Sequence, residues 1–75
     1  MDNKNIYEVS KRLGIKIRKL RKEQGYSQET FAEKIGIHRT YMGAVERGEK
    51  NITIITAKKI ANALKITLSE LLNDI

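Results

Sequence analysis

Seventy-five residues, 40% of them hydrophobic, suffice for one domain with a modest core. The absence of cysteine excludes disulfides and thiolate metal sites, and a single histidine leaves a protein-only zinc site almost without ligands. The net charge of +6 tilts toward a polyanionic partner, although a charge of that size also serves solubility alone. The longest apolar stretch, around Ile52 to Ala57, is far too short to span a bilayer, and no secretory apolar region follows the N-terminus. The expectation is a soluble, cytoplasmic protein. There is no proline, no internal repeat, and no Asn-Gly or Asp-Gly turn between alternating segments, so an all-helical domain is the simplest account.

Residues Met1 to Tyr7 are polar and without a clear period, which predicts a frayed terminus; with only Lys4 as a cation, a DNA-binding arm there is unsupported. The first helix is expected from about Tyr7 to Gln24, with Val9, Leu13, Ile17 and Leu20 as its apolar stripe and Gly25 just past its end. Gly14 lies inside it at a cost of roughly 1 kcal/mol against alanine, which suggests a close packing contact. Lys11, Arg12, Lys16, Arg18, Lys19 and Lys22 read mainly as a solvated face.

The stretch from Ser27 to Gly48 reads as two short helices with a sharp turn. Ser27 is an N-cap type before Gln28, and Phe31, Ala32 and Ile35 form an inward face, with Phe31 read as core. Tyr26, at the preceding turn, could pack on the first helix or stay exposed. Gly36 supplies the positive φ of a tight turn, and Ile37 can plug the angle between the helices. The next helix runs from His38 or Arg39 to Arg47 and is closed by Gly48. Met42 and Val45 face inward, leaving Arg39, Thr40, Tyr41, Gly43 and Ala44 to face outward.

After the loop Glu49-Lys50-Asn51, Thr53 caps a fourth helix over about Ile54 to Leu64, with Ile54, Ala57, Ile60, Ala61 and Leu64 inward and Ile52 as a staple before the cap. Thr67 and Glu70 form a capping box for a short last helix. Ile66, Leu68, Leu71, Leu72 and Ile75 exceed what so short a helix can hide, so Ile66, Leu68, Leu72 and Ile75 are candidates for a dimer interface, with Leu71 free to close the core.

Gln28, Ala32, Gly36, Ile37, Met42 and Val45 stand at the fixed offsets of a known pattern, and the chain resembles the lambdoid phage repressor (XRE-type) helix-turn-helix family. LRKEQGYSQ before the pattern and ERGEKN after it are similar to the same family, so the resemblance covers roughly Leu13 to Leu72. It implies an all-α, compact five-helix lambda-repressor-like domain spanning residues 1–75, acting as a sequence-specific DNA-binding transcriptional regulator and homodimer on inverted half-sites. The family's base-reading positions match Arg39, Thr40, Gly43 and Ala44; Tyr41 can add a hydrogen bond, and an arginine such as Arg39 suits guanine O6 and N7. Gly43 departs from the polar residue many members carry.

Phosphate contacts are expected from Gln28, at a helix start where free N–H groups favour an anion, and from Lys50 and Asn51 in the following loop. His38 fits either a cap or a phosphate donor. The resemblance pairs Arg21 with Glu46 as a brace for the recognition helix. HRTYMGAVERGEKN is similar to controller proteins of restriction–modification systems; phage-type repressors and antitoxin-like regulators share the fold. The reading from another class is a protein-interaction module that has lost DNA binding. No enzyme activity, cofactor, metal or small-molecule ligand is expected, since no acid–nucleophile constellation surrounds the lone histidine.

Overall fold

Four side-chain caps and three left-handed glycines divide the chain into its elements. The computed structural model describes residues 3–75. Its helices are α1 (Asn3–Glu23), α2 (Gln28–Ile35), α3 (Arg39–Glu46), α4 (Ile54–Ala63) and α5 (Leu68–Leu72). Helix α1 begins at Asn3, four residues earlier than the apolar stripe suggests. Extending an existing helix needs no new nucleus, and nothing between Asn3 and Tyr7 breaks it. Of the expected fray over residues 1–7, only Met1 and Asp2 lie outside the described residues.

The caps form as the sequence suggests. Ser27 Oγ accepts the Thr30 N–H at 3.0 Å, and Thr53 Oγ1 accepts that of Thr56 at 3.1 Å. Thr67 and Glu70 exchange both bonds of a capping box at 3.0 Å, which holds the Glu70 carboxyl below the usual carboxylate range. Gly36 adopts φ +73°, and the Ile37 N–H returns to the Ala32 carbonyl at 3.0 Å, turning the chain into α3. The end of α4 is less expected: Lys65, not a glycine, takes the left-handed conformation at φ 61°.

The core joins Leu13 and Ile17 of α1, Phe31, Ala32 and Ile35 of α2, Met42 and Val45 of α3, Ala57, Ile60 and Ala61 of α4, Leu64, and Leu71 of α5. Tyr26 packs against it, meeting Phe31 edge-on at 5.4 Å while Lys34 lies over its ring. Ile52 is half-buried on the same core. Two stripe residues miss it. Val9 is 45% exposed and Ile54 63% exposed.

Helix α1 packs on α3 and α5, α2 on α3 and α4, and α4 on α5. Gly14 makes the first contact possible: a Cβ there would lie 2.5 Å from the Glu46 carbonyl oxygen and 2.6 Å from that of Val45. Lys16 reaches across to α5, donating to the carbonyls of Glu70 at 2.6 Å and Asn73 at 2.9 Å. Gln24 likewise donates to the Leu64 carbonyl at 2.8 Å. These bonds satisfy carbonyls that helix ends otherwise leave to solvent, and they tie α1 to both C-terminal elements.

The apolar surplus at the C-terminus is smaller than the sequence suggests. Leu71 is fully buried, and Ile66, Leu68 and Ile75 are half-buried against the domain's own core. Of the four interface candidates Leu72 is the most exposed, at 38%. No described helix is long and apolar enough to cross a membrane, and no metal-binding group of three or more His, Asp or Glu side chains occurs among the described residues.

Candidate nucleic-acid interface

Helix α3 is eight residues long and is enclosed over most of its length. Met42 through Glu46 are all buried, since α1 and α2 both pack on this helix. Its outward surface is therefore the first turn. Arg39 and Thr40 are exposed there, and Tyr41 is half-buried with its ring against the core. His38 is the cap of α3: its Nδ1 accepts the Thr40 N–H at 3.1 Å. The bond uses the ring's acceptor nitrogen and leaves Nε2 as a donor toward solvent.

Gly43 and Ala44 do not face outward as their place on the helical wheel suggests. Gly43 is buried because two long side chains lie across it; a Cβ there would meet Arg47 Nη1 at 3.1 Å and Gln28 Oε1 at 3.2 Å. Ala44 is buried at the floor of a concavity of about 500 Å³ rimmed by His38, Thr40, Tyr41, Arg47, Glu49 and Lys50. Neither carries a side chain that reaches out to a base from this position.

Beneath the surface lies an ionic brace. Arg21 is 5% exposed and Glu46 7%. The guanidinium donates from Nε to Glu46 Oε2 at 2.7 Å and from Nη2 to Oε1 at 2.8 Å, while Nη1 donates to the Tyr26 carbonyl at 2.8 Å. The bond to Glu46 raises the Arg21 pKa further above an already high value. Gln28 turns inward and donates to Glu46 Oε1 at 3.1 Å, so its amide serves the brace as well as the start of α2. One carboxylate thus joins α1, α2 and α3, and every buried side-chain polar atom among the described residues has a partner.

Lys50 is exposed and shares the concavity with the first turn of α3, whereas Asn51, also exposed, is held to α1, its Oδ1 accepting from Ser10 at 3.2 Å. Arg47 is a member of this surface that sequence reasoning passed over. It lies three residues after Ala44 and seven after Thr40, a helical spacing that puts it on the same side. Its guanidinium forms a fork with Glu49, Nε to Oε2 at 2.9 Å and Nη2 to Oε1 at 3.2 Å, which pulls the Glu49 carboxyl below its ordinary range. Arg39 has a looser acidic neighbour, Glu29, at 3.6 Å.

Comparison with known proteins agrees with this geometry. The helix-turn-helix family model HTH_3 matches residues 17–71. The control protein C.MunI of a Mycoplasma species is 45% identical over 69 residues, covering 91% of this chain and 93% of that protein. The crystal structure of the restriction–modification controller protein C.AhdI from Aeromonas hydrophila superposes with a TM-score of 0.82 at 42% identity, over 87% of this chain and 94% of that one. A structure of the biofilm master regulator SinR in complex with DNA superposes with a TM-score of 0.77 at 34% identity, over 81% and 98% of the two chains. The chain belongs to the HTH_3, XRE-type helix-turn-helix family of DNA-binding transcription regulators.

Proposed function

We propose that this protein is a homodimeric controller of a restriction–modification operon that reads inverted half-sites in the major groove with the first turn of α3. The observation that carries the reading is the exposure of Arg39 and Thr40 at the start of a helix whose remainder is held rigidly against α1 and α2. The N-terminal residues of a recognition helix are those that meet base edges in this motif. Arg39 suits guanine, Thr40 offers a hydroxyl and a methyl group, and the Tyr41 hydroxyl adds a further donor and acceptor. Gly43 and Ala44 contribute by being small: they let the helix and its covering side chains sit close to the duplex. His38 and Lys50 border this turn as phosphate contacts, Asn51 adds one from the loop beside α1, and Gln28 contributes its helix-start N–H.

A single domain of this size spans few base pairs. Twofold pairing sets two recognition helices about 34–36 Å apart on one face of the duplex. The control and controller proteins it resembles over nearly their whole length support the restriction–modification assignment. The cytoplasm, where the DNA lies, is the compartment this reading requires.

Arg39→Ala tests the base-reading role. On the preferred operator it is expected to cost roughly 1–3 kcal/mol per half-site, with a smaller loss on scrambled DNA. Equal losses on both duplexes in a fluorescence anisotropy titration would reduce Arg39 to a phosphate contact.

A further inference from the structure

Two arginines stand on the proposed DNA-facing surface, and both have an acidic neighbour within the chain. The two pairs differ in closure. Arg39 meets Glu29 through one distance of 3.6 Å, beyond hydrogen-bond range, so its fork stays open to a ligand. Arg47 meets Glu49 through two hydrogen bonds, 2.9 and 3.2 Å, which occupy the same edge that a phosphate would take.

Local structure fixes this second arrangement. Arg47 caps α3, Gly48 takes φ +76°, and the N–H groups of Gly48 and Glu49 return to the carbonyls of Val45 and Ala44 at 3.0 and 2.9 Å. This turn holds the Glu49 backbone beside Arg47. Gly48 is in turn locked against α1, since a Cβ there would lie 2.7 Å from the Lys11 Cα. Both side chains are more than half exposed, so the pair is easily opened, and its rim position beside Lys50 puts a carboxylate among the expected phosphate contacts.

We infer that Glu49 is a specificity-determining residue: its carboxylate keeps the Arg47 guanidinium from phosphate in non-specific complexes and releases it only when a matched site seats the duplex against α3. The inference rests on the DNA-reading function proposed above. In a loosely bound, unregistered complex a phosphate comes within reach of Arg47 but meets it too weakly to displace the carboxylate, and the internal fork persists. In the seated complex a phosphate comes close enough to replace the carboxylate. The carboxylate thereby acts against the wrong DNA more than against the right one.

The test compares wild type with Glu49→Gln, Arg47→Gln, the double variant, and Glu8→Gln as a control that removes a charge of the same sign from the Glu8–Arg12 pair on α1. Each protein is titrated across a salt series against a duplex selected by the wild type from a random pool and against a scrambled duplex. Glu49→Gln is expected to raise affinity for the scrambled duplex roughly fivefold to tenfold near 0.1 M salt. It should also steepen that duplex's log–log salt slope by about 0.9 per protomer, one added phosphate contact. On the selected duplex the slope stays at the wild-type value. The gain disappears in the Arg47→Gln background. An unchanged scrambled-duplex slope, an equal steepening on both duplexes, persistence of the gain without Arg47, or an equal gain from Glu8→Gln each overturns the inference while leaving the DNA-reading function standing. Failure of the wild type to bind any duplex overturns both.

Discussion

Glu46→Ala is expected to destabilise the domain by about 3–5 kcal/mol, because it leaves the buried Arg21 guanidinium without its carboxylate. A chain of this length has a total stability on the order of 4–11 kcal/mol, so the variant should be close to unfolding. The loss exceeds that of an ordinary surface ion pair because Arg21 and Glu46 are almost wholly removed from water. Glu46 also accepts from Gln28, so its removal loosens α2 as well as α1 from the recognition helix. The companion double variant Arg21→Met/Glu46→Leu removes both charges together and should recover part of the stability: it leaves no unpaired buried charge, but the Tyr26 carbonyl and the Gln28 amide lose their partners. Urea denaturation of the three proteins checks this ordering; a loss below about 1 kcal/mol for Glu46→Ala would mean that the brace does not hold the helices together.

Leu71→Ala and Leu72→Ala should separate sharply although the residues are neighbours. Leu71 is fully buried at the junction of α5 with the core, and its truncation is expected to cost about 2–5 kcal/mol. Leu72, 38% exposed, is expected to cost the folded monomer about 1 kcal/mol. Leu72→Glu should then leave a folded chain and weaken self-association. Circular dichroism melts with sedimentation velocity distinguish the effects. A Leu72→Glu chain that sediments as the wild type does would exclude Leu72 from the interface, and an unfolded one would show that Leu72 supports the monomer.

The elements most legible in the sequence were those fixed by short-range chemistry. Ser27, Thr53 and Thr67 each cap the helix that follows, and Glu70 completes its box, because these bonds form between residues three apart. Gly36 and Gly48 turn the chain where a positive φ is required. Gly14 could be suspected as a close contact because it stands against helix propensity, and it does meet the backbone of α3. The Arg21–Glu46 brace joins residues distant in sequence; no local pattern reveals it, and only the family resemblance pointed to it.

What escaped the sequence depends on which neighbouring element lies against each residue. Val9 and Ile54 keep the helical stripe yet stay exposed, which periodicity alone does not reveal. A helical wheel puts Gly43 and Ala44 on the outer side of α3 but carries no information about Gln28 and Arg47 lying across Gly43. The half-burial of Ile66, Leu68 and Ile75 likewise depends on tertiary packing around α5, to which Lys16 of α1 contributes through two backbone carbonyls. Arg47 stands at a helical spacing from Thr40 and Ala44, but its pairing with Glu49 depends on the turn at Gly48.

The central claim is that the exposed first turn of α3 reads DNA as part of a twofold dimer. The most direct measurement is selection of binding sites by the purified full chain from a random duplex pool, followed by sequencing of the enriched DNA. The account predicts two inverted half-sites with centres roughly 10 base pairs apart. Enrichment should be lost for Arg39→Ala at the guanine-containing positions. Recovery of no enriched sequence, or of a lone half-site without an inverted partner, would contradict it.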